Sequence, residues 1–528
     1  MDTIINKINK SDFQFSSAPE LVVNPSGAGP LAAALTFETP MPVSAEITIT
    51  GGGRSWTVPT PAEPAARHSY ALLGMRAGQS HNVGLTLLEA GGALHRDVWH
   101  SSFETGQLPA DFPELKLTVN DTAAMEPGYT FFGIRKSHRT GAAGYGVIAA
   151  LDAEGEVVWV CDTGHTVGEI KRLQNGNLIY LTFDNRAIEI DMLGNRICQW
   201  FAANAHNAGD FEASKTSIPV QATAFHHDIL ELENGNLVIL NVETRDFPDY
   251  RSSETDPDAP PAPATVVGDV ITEFRRNGEI AGNWRLMDIL DPKRIGYGSL
   301  AEYWIRKGIP NSMDWSHSNS VVLDPSDDSF IVSVRHQDAI VKFRRDTGAL
   351  VWILGPHDAW RAPWSDRLLA PQGGLDWPYH QHHATITSRG SILLFDNANH
   401  QALPFAAKRA AADSYSRAVE FAVDADAMTA RQVWSFGDNE AERYYCPFIC
   451  GAEELPLTDN VLVCFGGNLS DGDGRVFDDP QTGFGWVRLA EVTRGPDPRL
   501  VFELFIDERH KDKGWDVYRA RRLPALYA

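Results

Sequence analysis

The sequence predicts an all-β chain: a six-bladed β-propeller over residues 111–528, preceded by an N-terminal β-sandwich over residues 1–110. Three observations predict it. A strand–turn–strand element recurs through the chain about six times. A second hairpin signal stands ahead of almost every copy. The first hundred or so residues alternate apolar and polar positions without sharing that repeat.

The N-terminal segment comes first. Residues 31–37 and Val43-Ser-Ala-Glu-Ile-Thr-Ile-Thr read as strands, the second closed by Gly51-Gly-Gly. Residues 56–58 and 82–88 continue the pattern, and the unit ends near Pro109 to Pro113. The repeat then appears at 147–160, 187–197, 270–280 and 339–352, with looser copies at 418–434 and 489–505. The preceding hairpins turn at Asn175-Gly-Asn, Asn234-Gly-Asn, Asp328-Ser, Arg389-Gly-Ser and Asp459-Asn. The first copy has only Gly128-Tyr-Thr-Phe-Phe-Gly-Ile ahead of it. Two hairpins per repeat make a four-stranded blade, and six repeats make six blades.

Three insertions interrupt the blades. Residues 244–263, acidic and Pro-rich, read as a loop. Residues 291–310 carry a helix-like stretch around 300–307, and 357–378 are rich in Trp, Pro and Gly. Inserts of this length commonly wall a site.

A net charge of −23 over 528 residues repels nucleic acid and anionic membrane, so neither is expected as a partner. An anionic substrate would need local positive charge. The five cysteines, Cys161, Cys198, Cys446, Cys450 and Cys464, form no disulfide framework or zinc spacing and read as free thiols, although Cys446 and Cys450 are close enough in sequence to bridge. The stretch MDTIINKINKSDFQFSS lacks the apolar core of a leader, so the chain as given reads as cytoplasmic, or periplasmic if a leader has been removed.

Histidines gather at the starts of three blades: Phe225-His226-His227-Asp228, Trp315-Ser-His317-Ser-Asn319 and Gln381-His382-His383-Ala384. Each precedes an apolar strand, a turn and a returning strand. Equal counts to and from the turn return Arg335 to the end of the blade that holds His317, His382 beside Asp396 and Asn397, and His227 near residues 241–243. His226, His336, His380, His383 and His400 read individually as structural. No serine or cysteine nucleophile elbow, paired carboxylate or P-loop is present, and no cofactor is implied. Neutral imidazole is a nucleophile near pH 7, an arginine fork matches sulfuryl or phosphoryl oxygens, and a second imidazole can exchange a proton with a phenol. These residue types suit double-displacement group transfer.

The segments Asp314-Trp-Ser-His-Ser-Asn-Ser, Asp324-Pro-Ser-Asp-Asp-Ser-Phe-Ile-Val-Ser-Val-Arg-His-Gln-Asp-Ala, Trp352-Ile-Leu-Gly, Gln381-His-His-Ala, Phe395-Asp-Asn, Ser416-Arg-Ala-Val and Asn24-Pro-Ser-Gly-Ala-Gly-Pro-Leu resemble the bacterial arylsulfate sulfotransferase family. The resemblance covers nearly the whole chain. It implies a propeller with an N-terminal sandwich, often a homodimer, that moves sulfuryl from an aryl sulfate donor to a phenolic acceptor without PAPS. It places the nucleophile on His382, with Nε2 carrying the sulfuryl group. It gives Arg335 and His317 the sulfuryl oxygens, with Asn319 beside them, and His227 the acid/base role. His226 competes with His227 and His383 with His382. His227 is preferred because it and His382 stand equally far ahead of the glycine in their turns. The disulfide expected near the site in some relatives has no counterpart, since Cys446 and Cys450 follow His382.

Two other readings remain open. Three histidines at one mouth suit zinc, although Arg335 would oppose a metal and no carboxylate joins by spacing. A binding propeller would use Trp159, Trp352 and Trp434 only to pack its blades.

Overall fold

The computed structural model describes residues 13–89, 91–92, 94–136, 145–206, 216–439, 443–509 and 514–527. Residues 1–12, the first part of the stretch read for a leader, lie outside them.

Beyond the N-terminal unit, six sheets follow one another, each built on four antiparallel strands. Their innermost strands are Trp515–Leu523, Val167–Arg172, His226–Glu231, Ser318–Asp324, His382–Ile386 and Gly451–Glu454. Each touches the next and the last touches the first, so the six sheets close a ring around a central channel. All six sequence repeats form the third and fourth strands of a sheet. The hairpin missing ahead of the first copy is explained by closure: Trp515–Leu523, from the end of the chain, pairs with Tyr129–Lys136 and supplies blade one with its inner strand. Lys116–Asn120 adds an outer strand to blade six by pairing with Leu500–Ile506. At the Asn-Gly turns, Gly176 and Gly235 hold φ of 84° and 81°, where a side chain would be strained.

The rim repeats one latch. Trp159, Trp200 and Trp284, on the fourth strands of their sheets, donate their indole N–H to the carbonyls of Met192, Arg276 and Arg345 in the outer turn of the next sheet, at 2.8–2.9 Å. Arg276 and Arg345 also bond Glu189 and Glu273 of the preceding sheet. Trp352 and Trp434 pack into the cores shared by neighbouring blades.

The six strands of the N-terminal unit are joined through one long shared strand. Its 19-residue strand Ala33–Gly51 pairs with Ser17–Val23 and Ala65–Leu72 through its first half and with Arg54–Val58 and Ser80–Glu89 through its second. Pro40 and Pro42, which lack N–H donors, stand where the pairing changes. Both halves share one core, from Leu35 and Phe37 to Ile47 and Ile49. The segment 244–263, read as a loop, is a loop over residues 251–261, and strands Leu237–Tyr250 and Ala262–Phe274 enter its two ends, paired as far as Tyr250 and Ala262. Their alternation was masked by the acidic residues and prolines. The short helix Tyr303–Arg306 lies within the expected stretch, and 357–378 is mostly irregular.

Candidate active site

The strand starts of blades three, four and five bring the predicted histidines together. His227 and His317 have ring centroids 4.7 Å apart, and His317 stacks on His336 at 4.6 Å. His227, His317 and His383 all hold left-handed backbone, with φ of 58°, 49° and 55°. Strain of this kind persists only where the surroundings impose it. Bulges at the starts of the three inner strands interrupt pairing and turn side chains into the channel. The bulge in blade three is the larger, so His226, not His227, pairs across like His382. Counting back from the turn therefore does not make His227 the positional equivalent of His382.

His382 is 2% exposed. Its Nδ1 lies 2.7 Å from Asn397 Oδ1. Asn397 Nδ2 donates to the carbonyls of Cys446 and Ile449 at 2.8 and 3.1 Å, which fixes the amide with its oxygen toward the imidazole. His382 Nδ1 therefore carries the proton, and Nε2 keeps its lone pair. Burial first, then the charge of Arg335, pushes the His382 pKa well below the usual histidine value. The ring is neutral at pH 7.

Arg335 follows the returning strand of blade four and faces the same end as His317. Nη1 bonds His336 Nε2 at 2.7 Å and Nη2 donates to Pro447 O at 3.1 Å, while Nε is buried without a partner. Among the described residues no carboxylate reaches ion-pair distance of this guanidinium. Burial lowers its pKa to about 10, so it remains a cation. His336 Nδ1 donates to Asp314 O at 2.6 Å, so the ring, read as structural, orients Arg335.

Two carboxylate–imidazole pairs complete the cluster. His317 Nδ1 bonds Asp314 Oδ2, while Asp314 Oδ1 accepts Trp304 Nε1 at 2.9 Å. Asp269 Oδ1 lies 3.1 Å from His226 Nε2, and His226 Nδ1 lies 2.7 Å from His227 Nδ1. Ser316 Oγ and Ser318 N hold Asp269 Oδ2. His226 thus stands between a carboxylate and His227. The His227 pKa is pushed well down by burial and then by His317.

Asn319 is fully buried. Its Nδ2 donates to Gln381 O at 2.7 Å and its Oδ1 has no partner. In this arrangement it braces the backbone ahead of His382 instead of presenting a donor to an anion. His383 turns away: its Nε2 is 3.5 Å from Arg521 Nη2.

Counting along the chain missed Asp269, Asp314, Tyr518 and Arg519. Asp314 sits inside a quoted motif, two residues before Ser316. Tyr518 and Arg519 come from the closing strand, where no local pattern marks them. Arg519 Nη2 donates to Asn319 O at 2.5 Å and Nη1 bonds Glu169 at 2.6 Å.

The expectation that no carboxylate joins the histidines is corrected by Asp314, which with His317 and His336 forms a group of metal-ligand type. The fit to a cation is poor. Both nitrogens of His336 are engaged, by Asp314 O and by the Arg335 guanidinium, which would stand against the ion.

The pattern of the family described as arylsulfotransferase (ASST) matches residues 128–505. The arylsulfate sulfotransferase AssT of Escherichia coli O6:H1 is 30% identical over 284 residues, covering 46% of this chain and 45% of that one. The protein of the same name from Lelliottia amnigena is 26% identical over 285 residues, with the same coverage. The match thus spans less than half the length of these curated relatives. Among solved structures, a Lactobacillus plantarum protein is 10% identical with a TM-score of 0.35, covering 76% of this chain and all of that one. By the span of the family match, which includes His226, His227, His317, Asn319, Arg335, His382 and Asn397 but ends before Arg519 and Arg521, the chain belongs to the arylsulfotransferase family.

Proposed function

We propose that the protein is an aryl sulfotransferase that moves a sulfuryl group from an aryl sulfate to a phenol in two displacements, through a sulfohistidine on His382 and without PAPS. The observation that carries this reading is Arg335: a half-buried guanidinium with no carboxylate partner among the described residues, in a chain of net charge −23, beside a neutral imidazole. A cation left unpaired at the cost of its desolvation is matched to an anion that arrives with substrate.

In the first displacement the His382 Nε2 lone pair attacks sulfur, the N–S bond forms and the S–O bond to the aryl group breaks. Arg335 and His317 hold the sulfuryl oxygens as charge builds on them. His227 faces the aryl oxygen and supports its departure. In the second, His227 takes the proton of an incoming phenol, the phenol oxygen attacks sulfur, and the N–S electron pair returns to Nε2. The Asp269–His226 pair stabilises His227 while it carries the proton.

The test is release of 4-nitrophenol from 4-nitrophenyl sulfate with and without phenol, in EDTA and without PAPS. Release that rises with phenol and ignores EDTA is expected, together with one SO3 unit on the peptide containing His382 after donor alone. Release that ignores phenol and collapses in EDTA would make the protein a metal-dependent hydrolase. No release would leave a binding propeller.

A further inference from the structure

We propose that Lys307 makes the cavity beside His227 selective for phenols that carry an anionic group across the ring from the reacting oxygen, the hydroxybenzoate class. The proposal rests on the transferase reading above. The cavity has about 440 Å³ of empty space counting its open mouth. His227 lines it and His382 does not. A ring bound there lies on the acid/base side of the nucleophile, where an aryl oxygen has to exchange its proton. Phe183, Tyr303, Trp304 and Tyr518 supply flat apolar walls.

Tyr303 joins the two ends of this space. Its ring centroid is 4.9 Å from that of His317 and 6.0 Å from Lys307 Nζ. Tyr303 and Lys307 are four residues apart across one short helical turn, so they share a face. A phenol laid along Tyr303 with its hydroxyl at the imidazoles therefore points its far substituent at Lys307. The ammonium donates once, to Phe183 O at 3.2 Å, and lies 5.4 Å from the Phe183 ring. Among the described residues it forms no ion pair. Of its charged neighbours, Arg135 and Arg306 are cations and only Asp184 is an anion, and Asp184 is bonded to Arg186. The carboxylate that lines the cavity, Glu169, is neutralised by Arg519 and Arg521. Burial, then Arg135, lower the Lys307 pKa to about 8, which leaves the amine mostly charged at pH 7.

The experiment compares sulfuryl transfer from 4-nitrophenyl sulfate to 4-hydroxybenzoate and to phenol in the wild type, Lys307→Met and Lys307→Arg. The ratio of kcat/KM values, hydroxybenzoate over phenol, is expected to fall by about tenfold in Lys307→Met and to be largely kept in Lys307→Arg. An unchanged ratio in Lys307→Met, or an equal fall in both variants, overturns the proposal. If the wild type sulfates neither acceptor, the transferase reading fails by itself. Calorimetric binding of 4-hydroxybenzoate then decides the subsite: affinity lost in Lys307→Met supports it, and no binding, or equal binding to both proteins, overturns it.

Discussion

The two halves of the channel are built on opposite electrostatic plans. Blades three, four and five line it with His226, His227, His317 and His382. Blades six, one and two line it with Glu453, Arg519, Arg521, Glu169 and Lys171. In the second half every charge is paired, the third cation by Asp228 of blade three. Glu169 bonds both Arg519 and Arg521, Arg521 also bonds Glu453, and Lys171 pairs with Asp228 at 2.6 Å. In the first half burial keeps His227 and His382 neutral, and among the described residues the guanidinium of Arg335 has no counter-ion. The contrast separates charge that is settled within the fold from charge left for substrate. A paired half serves as a rigid floor, and an unpaired half can bind and react.

The largest expected effect lies in the histidine half. His382→Ala should lower transfer by at least about 10³-fold, the scale of removing a covalent nucleophile, with the circular-dichroism spectrum and Tm little changed. A residual rate within tenfold of wild type would end the His382 assignment. Arg335→Lys should cost about 10²-fold in kcat/KM, because a point charge cannot reproduce the fork that His336 and Pro447 hold in place. Equal activity in the lysine variant would mean that only charge matters there.

Arg519→Met reads the other half. It removes one of two cations from a fully buried Glu169 and a brace from the Asn319 carbonyl. Breaking a buried pair from one side costs about 3–5 kcal/mol, so the urea midpoint should drop clearly. If stability held and only kcat fell, Arg519 would belong with the reactive half.

The propeller was legible because its repeat is written in local hairpins: strand, turn with Gly, strand, then Trp. The cluster was legible where hairpin counting applies, as for Arg335 opposite His317 and Asn397 opposite His382. What stayed hidden depends on long-range closure. Nothing near residue 519 announces that the strand Trp515–Leu523 crosses to blade one and sets Arg519 under Asn319. The choice between His226 and His227 was hidden by a bulge, which changes pairing without changing any residue count. The strand entering 244–263 was hidden because acidic residues and prolines mask its alternation, although Tyr250 and Val266 belong to a blade core.

The pH dependence should divide along the same line. Burial holds His227, His336, His382 and His383 well below the usual histidine value, and each would titrate near 6.5 in the unfolded chain. The folded state then binds fewer protons than the unfolded one below pH 6.5. Stability is fully present above that value and is lost as pH falls toward the folded pKa values, by up to about 1.4 kcal/mol per histidine for each pH unit. Denaturation midpoints at pH 7.5, 6.5 and 5.5 should fall slightly across the first pair and steeply across the second. A level profile down to pH 5.5 would mean that the imidazoles are not held neutral.

The smallest expected effect is that of His383→Ala, which lies on the border between the halves. His383 follows the nucleophile directly in sequence, yet its Nε2 is directed to Arg521, whose charge is already met by Glu169 and Glu453. The ring also packs so closely on Gly451 that a Cβ there would stand 2.6 Å from His383 Nδ1. His383 is thus enclosed on the ion-paired side, away from Arg335 and His317, and its removal should lower transfer by less than about tenfold, through loosened packing. The reverse outcome, in which His383→Ala abolishes transfer and His382→Ala does not, would move the nucleophile into the charge-balanced half. The unpaired guanidinium of Arg335 would then have no role in holding the transferred group, and the division of the channel into a settled and a reactive side would fail with it.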